Sequence, residues 1–562
     1  MKRKPFVVGI AAVALVLGLA AWQFARPSAA EGARLERYLP ADTIGFVQAN
    51  NLRAQALNVI ESEAWRAFTK ENQSASSLFM IGANHMGVLD ASYAVALVGM
   101  SGEGGKPHPE FVLVAEFTDG SARRTFENRV LRLAQQSGEK STTRTEEKYG
   151  DRTINILSKD GKQGFAYAQA GNLLFVSNTT GAVKKVLDVR GGKVPSLDSN
   201  QTFKQTLARA AYTEGMFGYL DGAALTRLID NAPVEEHKGA AAFRQFFHGA
   251  GADSVQTVAF TSSFADGRVT ERFVVATQPG GTGILSTIAK NPPTSQSLLA
   301  LVPENALQAF DASIASAPQA FDEMEALLNQ INTEKGRKTL GDVLGEVSSK
   351  TGIDLRNDIL GALGSEVCIA QLQAGEDRMG VVILNLKDEQ RFAQALEKLA
   401  EHKKRALAAR EYKGVTIRQL SGEEGRGLHY AFIGGNFVAS GDGAAIERVV
   451  DTAQGGGGIS ASAGYRSASA QLSGNPQFVY YNSNADYLNR LGKTLTRGES
   501  EFKSSGQAAN LRPSFAFGVA RADGFYVESH SPLGTFPRLL TMVSSRLTQE
   551  KNNDGQKKGA SE

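Results

Sequence analysis

Residues 149–188, YGDRTINILSKDGKQGFAYAQAGNLLFVSNTTGAVKKVLD, can be laid without a gap over residues 412–451, YKGVTIRQLSGEEGRGLHYAFIGGNFVASGDGAAIERVVD. Identities fall at Tyr149/Tyr412, Thr153/Thr416, Ile154/Ile417, Leu157/Leu420, Ser158/Ser421, Gly164/Gly427, Tyr167/Tyr430 and Ala168/Ala431. They continue through Gly171/Gly434, Ser177/Ser440, Ala182/Ala445, Val186/Val449 and Asp188/Asp451. The match divides the chain into two copies of one architecture, each long enough to enclose its own core. Inside the window, Thr153-Ile154-Asn155-Ile156 alternates apolar with polar, the pattern of a half-buried strand. Ala170-Gly171-Asn172, recurring as Gly434-Gly435-Asn436, marks a tight turn between two strands, and a helix follows over 182–187 and 445–450.

Outward from the window the copies stay in step. Leu39-Pro40-Ala41-Asp42-Thr43 leads into the strand Ile44 to Val47, as Leu301 to Ala306 leads into Leu307 to Phe310. Phe321, Met324, Leu327, Leu328 and Ile331 fall at helical spacing in the second copy. Paired strands follow at 93–98 with 111–117 and at 367–371 with 381–386. Asp119 and Asp388 stand where they cap the next helices, which align as Phe126/Phe392, Leu133/Leu399 and Ala134/Ala400. Strands at 216–220 and 478–481 lead into helices. Each copy closes with a hairpin, turning at Ala265-Asp266-Gly267 and at Ala522-Asp523-Gly524, where both Asp-Gly pairs suit positive-φ turn positions. Hairpins outnumber strand-helix-strand crossovers, so the expected class is α+β, with mainly antiparallel sheets covered by helices.

The domain reading is a membrane anchor or signal peptide over 1–26, a linker over 27–38 and a first repeat over 39–279. A breaker-rich linker over 280–295, a second repeat over 296–548 and a polar, disordered tail over 549–562 complete it. Phe536, Leu539, Leu540, Val543 and Leu547 line one face of a last helix, expected to pack on the second repeat, with a membrane-surface role as the alternative. At the other end Lys2-Arg3-Lys4 precedes an apolar run from Phe6 to Trp22, with Arg26 just beyond. A retained anchor, its N-terminus in the cytoplasm, is the favoured reading. A peptide cleaved near Ser28-Ala29-Ala30 is the alternative, giving a secreted body. Both readings put the body in the periplasm or another extracytoplasmic space.

Composition narrows the partners. Lys and Arg number 61 against 58 Asp and Glu. A body so close to neutral argues against nucleic acid as the main partner. The sole cysteine, Cys368, lies in the apolar run Val367 to Ala370, where a buried strand thiol is expected, and one cysteine permits no internal disulfide.

The search for chemistry finds little. None of His85, His108, His237, His248, His402, His429 and His530 stands at a metal-binding spacing from another within one helix. Glu235-Glu236-His237 reads as a solvated helix start, and His429 and His530 as structural imidazoles on strands. No Gly-x-Ser-x-Gly elbow is present, and Gly458 to Gly464 resembles one only superficially. Gly336-Arg337-Lys338-Thr339 resembles the end of a phosphate loop, but Ile331 stands at the place of its first glycine. Gly99 to Gly105 joins two strands instead of opening a helix, and Gly455 to Gly458 reads as a flexible linker. Tyr480, Tyr481 and Tyr487 read as core with a contact role as alternative, and His402 to Arg405 as a solvated helix face. No catalytic, cofactor-binding or metal-binding residue is assigned, and no cofactor is indicated.

The N-terminal apolar segment, the Leu39 to Thr43 opening, the alternating strand and helix blocks, and Asp354-Leu355 through Leu363-Gly364-Ser365-Glu366 resemble the bacterial family called Domain of Unknown Function 3352. The resemblance runs from residue 39 to about 545. It implies an extracytoplasmic location and a two-part architecture, and it carries no activity. The leading expectation is a non-catalytic, membrane-anchored envelope protein that binds or scaffolds an envelope protein through its duplicated domains. A carrier for an apolar ligand or lipid, and a hydrolase with a site assembled from distant residues, are the alternatives.

Overall fold

The computed structural model describes residues 34–71, 91–102, 108–136, 142–159, 162–231, 240–281, 283–331, 340–374, 377–402, 407–420, 427–455, 457–485, 511–521, 523–532 and 534. The expected segments over 1–33, the last helix and tail beyond 534, and Tyr487 lie outside these residues. Among the described residues no helix is long and apolar enough to cross a membrane.

Each aligned window supplies three consecutive strands and a helix, just inside the outermost strand of its half. In the first half the strands are β1 (Gly45–Ala49), β2 (Ala91–Ser101), β3 (His108–Phe117), β4 (Thr142–Tyr149), β5 (Arg152–Lys159), β6 (Lys162–Ala170), β7 (Leu173–Ser177), β8 (Met216–Asp221), β9 (Val255–Ala265) and β10 (Arg268–Thr277). In the second they are β11 (Gln308–Ser313), β12 (Leu363–Ala374), β13 (Asp377–Leu386), β14 (Leu407–Tyr412), β15 (Val415–Leu420), β16 (Leu428–Ile433), β17 (Asn436–Ser440), β18 (Phe478–Asn482), β19 (Ser514–Arg521) and β20 (Gly524–Ser531). The first half is ordered β4-β5-β6-β7-β3-β2-β1-β8-β9-β10. The second is ordered β14-β15-β16-β17-β13-β12-β11-β18-β19-β20, the same relative order. The last strands of both halves, β10 and β20, pair with each other, so one open antiparallel sheet runs through the molecule.

Helices layer both faces. On one face Thr180–Arg190 and Gln201–Ala210 help enclose Phe46, Val114, Ile154, Phe175, Val186, Phe203 and Phe217. Gly443–Ala453 and Ala463–Ser469 do the same for Ala309, Ile383, Ile417, Val438, Ile446, Phe515 and Phe517. On the other face Gly120–Gln136 sets Phe126 against Tyr93, Phe117 and Leu157, and Glu389–His402 sets Phe392 against Tyr430 and Phe437. That second layer corrects the half-buried reading of 153–156: Asn155 is buried like Ile154, and its Oδ1 accepts from Arg144. Tyr526 packs against the cores of both halves.

The repeated polar identities mark repeated bonds. Ser177 Oγ donates to Phe111 O over 2.6 Å and Ser440 Oγ to Gly380 O over 2.7 Å, and each hydroxyl also accepts the amide two residues on. The expected caps form. Asp119 Oδ1 accepts from the amides of Ser121 and Ala122, and Asp388 Oδ1 from that of Arg391. These bonds satisfy donors that a helix start leaves open.

Three local readings change. The second closing hairpin turns one residue earlier than its Asp-Gly pair suggests: Arg521 faces Gly524, whereas Ala265 faces Arg268 across Asp266-Gly267. Gly524 therefore lies in a strand, with φ 139, and a Cβ there would sit 1.9 Å from Val275 O of the other half. Close backbone approach, not the turn, explains that glycine. Gly458, read as linker, is a bridge partner of Pro303, and a Cβ would sit 2.3 Å from Ala300 O. Within 280–295 the apolar piece forms the helix Gly283–Ala289, and Thr294 and Ser295 are tied by their hydroxyls to Asp311 and Glu366.

Candidate functional site

The joint between the halves carries a cluster of charged hydrogen bonds. Across β10 and β20 the register runs from Val269 opposite Ser531 to Ala276 opposite Gly524. Arg272 and Glu528, each the fifth residue of its strand, face one another. Arg272 Nε donates to Glu528 Oε2 over 2.7 Å and to the Tyr526 hydroxyl over 3.1 Å. That hydroxyl in turn donates to Glu528. His530 Nε2 lies 2.8 Å from Glu528 Oε1, and its Nδ1 lies 3.0 Å from Thr270 Oγ1. With an ionised carboxylate at Nε2, the assigned roles are Nε2–H donating to Glu528 and Nδ1 accepting from Thr270.

The electrostatics of this cluster are settled, not poised. Burial acts to raise Glu528, but bonds from His530, Tyr526 and Arg272 outweigh it and hold the carboxyl down at about 2. Burial and the Glu528 carboxylate push Tyr526 up to about 12. The shifts draw this carboxyl and this phenol away from the neutral range in which general acids and bases work best. Carboxylate, imidazole and hydroxyl stand in a row, yet the lowered Glu528 and the raised Tyr526 suit an ion cluster that holds strands together.

Ion pairs flank the joint on both sides. Arg209 of the first half reaches Asp523 at the tip of the second hairpin, 2.9 Å apart. Arg512 of the second half reaches Glu63 at 2.9 Å and Asp266, at the tip of the first hairpin, at 3.2 Å. Arg268 Nη2 donates to Pro513 O over 2.6 Å. A concavity of about 30 Å³ lies at the Arg209 end, lined in part by Val274 and Tyr526. It has room for about one water, as does a second of about 10 Å³ near Gln308 and Asn482.

A second buried polar cluster lies inside the second half. Asp311 is fully buried, and its Oδ1 accepts from Thr294. Burial first, and then ionised Glu366, push Asp311 up to about 8. Burial also acts to raise Glu366, but the Ser295 hydroxyl, the Leu298 amide, the Ser297 hydroxyl and protonated Asp311 outweigh it and hold Glu366 below its ordinary value. Cys368, opposite Asp311 in the ladder, is buried, and burial with these two carboxyls pushes its thiol well up. Such a thiol is unreactive, in line with the strand reading.

A third arrangement occurs in both halves. Tyr149 Oη donates to Asp188 Oδ2 over 2.7 Å, and Tyr412 Oη to Asp451 Oδ1 over 3.1 Å. A lysine joins each pair from a different place in sequence, Lys193 at 3.0 Å and Lys413 at 2.6 Å. Both aspartates are lowered, by the Tyr149 and Lys193 bonds in one half and chiefly by the Lys413 bond in the other. These are clamps between a hairpin and a helix, and they give two of the aligned identities the same role in each half.

The remaining sequence candidates disperse. Tyr481 is buried in the second core, and Tyr480 points the other way, its hydroxyl 3.1 Å from Gln308. His248 sits between Asp230 and Asp253, whose bonds raise it, Asp230 most. Glu235 to His237, Gly336 to Thr339, Lys403 to Arg405 and His85 lie outside the described residues. Among the described residues no three His, Cys, Asp or Glu side chains stand together as a metal site. The joint cluster escaped sequence reading because Arg272 and Glu528 are paired only by the ladder. The signal available was polar Glu528 and His530 at alternate positions of a closing strand. For the second cluster it was a lone Asp311 within Ala309-Phe310-Asp311-Ala312.

Residues 274–512 match the model of a family described as protein of unknown function (DUF3352). The chain therefore resembles that family over a stretch running from the end of β10 to just before β19, and most of the first half lies outside the match. No curated protein and no solved structure matches the chain.

Proposed function

We propose that the two halves, each with ten strands among the described residues, are tandem copies of one unit, held by the N-terminal segment at the extracytoplasmic face of a membrane. In this reading the protein is a non-catalytic scaffold for another envelope protein. The β10–β20 ladder carries the reading: it joins both halves into one continuous surface, the property a scaffold needs. The directions of the shifts at the joint and clamps support it, because they move tyrosines up and carboxylates down, away from the proton exchange that general acid–base catalysis uses. The family resemblance is compatible with it and supplies no activity.

Native mass spectrometry of the full-length protein, extracted gently from its own membrane, tests this. A stoichiometric protein companion is expected. A bound lipid mass in its place, or turnover of a defined substrate by the purified protein, would overturn the reading.

A further inference from the structure

The joint has the geometry of a symmetric dimer interface built into one chain. Counting from each hairpin's closing pair, Thr270 is the third residue of β10 and faces His530, the seventh of β20. Reciprocally Val274, the seventh of β10, faces Tyr526, the third of β20. Position three meets seven, seven meets three, and five meets five. That reciprocity is the mark of an isologous, two-fold contact. The axis then passes through Arg272 and Glu528, the one pair in which each residue faces its own counterpart.

In a true dimer of identical units the axial position would set a residue against itself. Here it sets a cation against an anion, in side chains 28% and 10% exposed. Two first halves meeting in this register would oppose Arg272 to Arg272, and two second halves Glu528 to Glu528. Like charges opposed across a ladder and partly desolvated are strongly disfavoured. The outer locks follow the same logic, since each hairpin tip offers an aspartate, Asp266 or Asp523, to an arginine of the opposite half.

We propose that β10 and β20 are complementary recognition edges, keyed by Arg272 and Glu528, through which each half selects the opposite half and rejects its own kind. The proposal rests on the reading of the halves as copies of one unit. Its test is independent of any envelope companion, so the two can fail separately.

The experiment uses the full chain with a protease site inserted after exposed Gly280, folded first and then cleaved. The wild-type pieces should stay together as a one-to-one pair of unlike halves in native mass spectra, without pairs of like halves. Arg272→Glu, or Glu528→Arg, should weaken the nicked pair at least about tenfold. The double exchange R272E/E528R should restore it, and this arm holds even if a single variant folds poorly. Like pairs as abundant as unlike ones, single variants that associate like wild type, or a double exchange that recovers neither folding nor association would each overturn the proposal.

Discussion

The two halves place different chemistry at the same point of the same strand. Gln48 is the fourth residue of β1 and Asp311 the fourth of β11, and each is buried. An amide is neutral at every pH, so the first half's core keeps one charge state there. A carboxyl is not, and Asp311 stays protonated at neutral pH only because burial and Glu366 hold it so. Equal backbones thus accept unequal side chains, provided that a buried polar group is uncharged or paired. The second half meets that condition through Thr294 and the hydroxyls around Glu366.

The largest effect should come from the asymmetry at the joint. Gly524 occupies the strand position that Arg268 holds in the first half, but only Gly524 lies within the ladder between halves. Gly524→Ala should cost about 1–3 kcal/mol or more, through the clash with Val275 O and the strained φ. Thermal unfolding measures it, and an unchanged melting temperature would place the strands farther apart than described.

Next in size is a pH effect confined to the second half. Asp311 has a folded pKa raised from 3.8 to about 8. Its contribution is therefore fully present below about pH 4 and is lost as pH rises through about 8, because the folded state binds the proton more tightly. Asp311→Asn should gain about 1–3 kcal/mol over wild type at pH 8.5 and nothing at pH 3.5, while Gln48→Glu should bring the same slope into the first half. Glu528 has the opposite sign: its pKa falls from 4.5 to about 2, so its contribution is present above 4.5 and is lost as pH falls toward 2. Denaturant melts across pH 2 to 9 separate the two groups, and a flat Asp311→Asn difference across that range would refute the buried-acid assignment.

The smallest effects should be equal ones. Ser177→Ala and Ser440→Ala each remove the same buried bond and should each cost about 1 kcal/mol. Tyr149→Phe and Tyr412→Phe should cost less, since their clamps are open to solvent, and should show as matched losses of amide protection in β4–β5 and β14–β15. Unequal losses would mean that the two halves differ in mechanics as well as in sequence.

What was legible in the sequence follows from the range of the forces involved. Alternation, breakers and caps act over a few residues, so the α+β class, the hairpins, Asp119 and Asp388 could all be read directly. The constant spacing of the repeat also carried Tyr149/Tyr412, Ser177/Ser440 and Asp188/Asp451, identities whose hydrogen bonds the fold then displays. The turn before β20 went astray by one residue, because Asp523-Gly524 has the local chemistry of a turn while Val275 of the other half makes the stronger demand on that glycine. Glu528, His530, Arg272 and Asp311 were individually visible but unassignable. Their roles depend on burial and on partners brought by strand pairing, within the second half for Asp311 and between the halves for Arg272, Glu528 and His530.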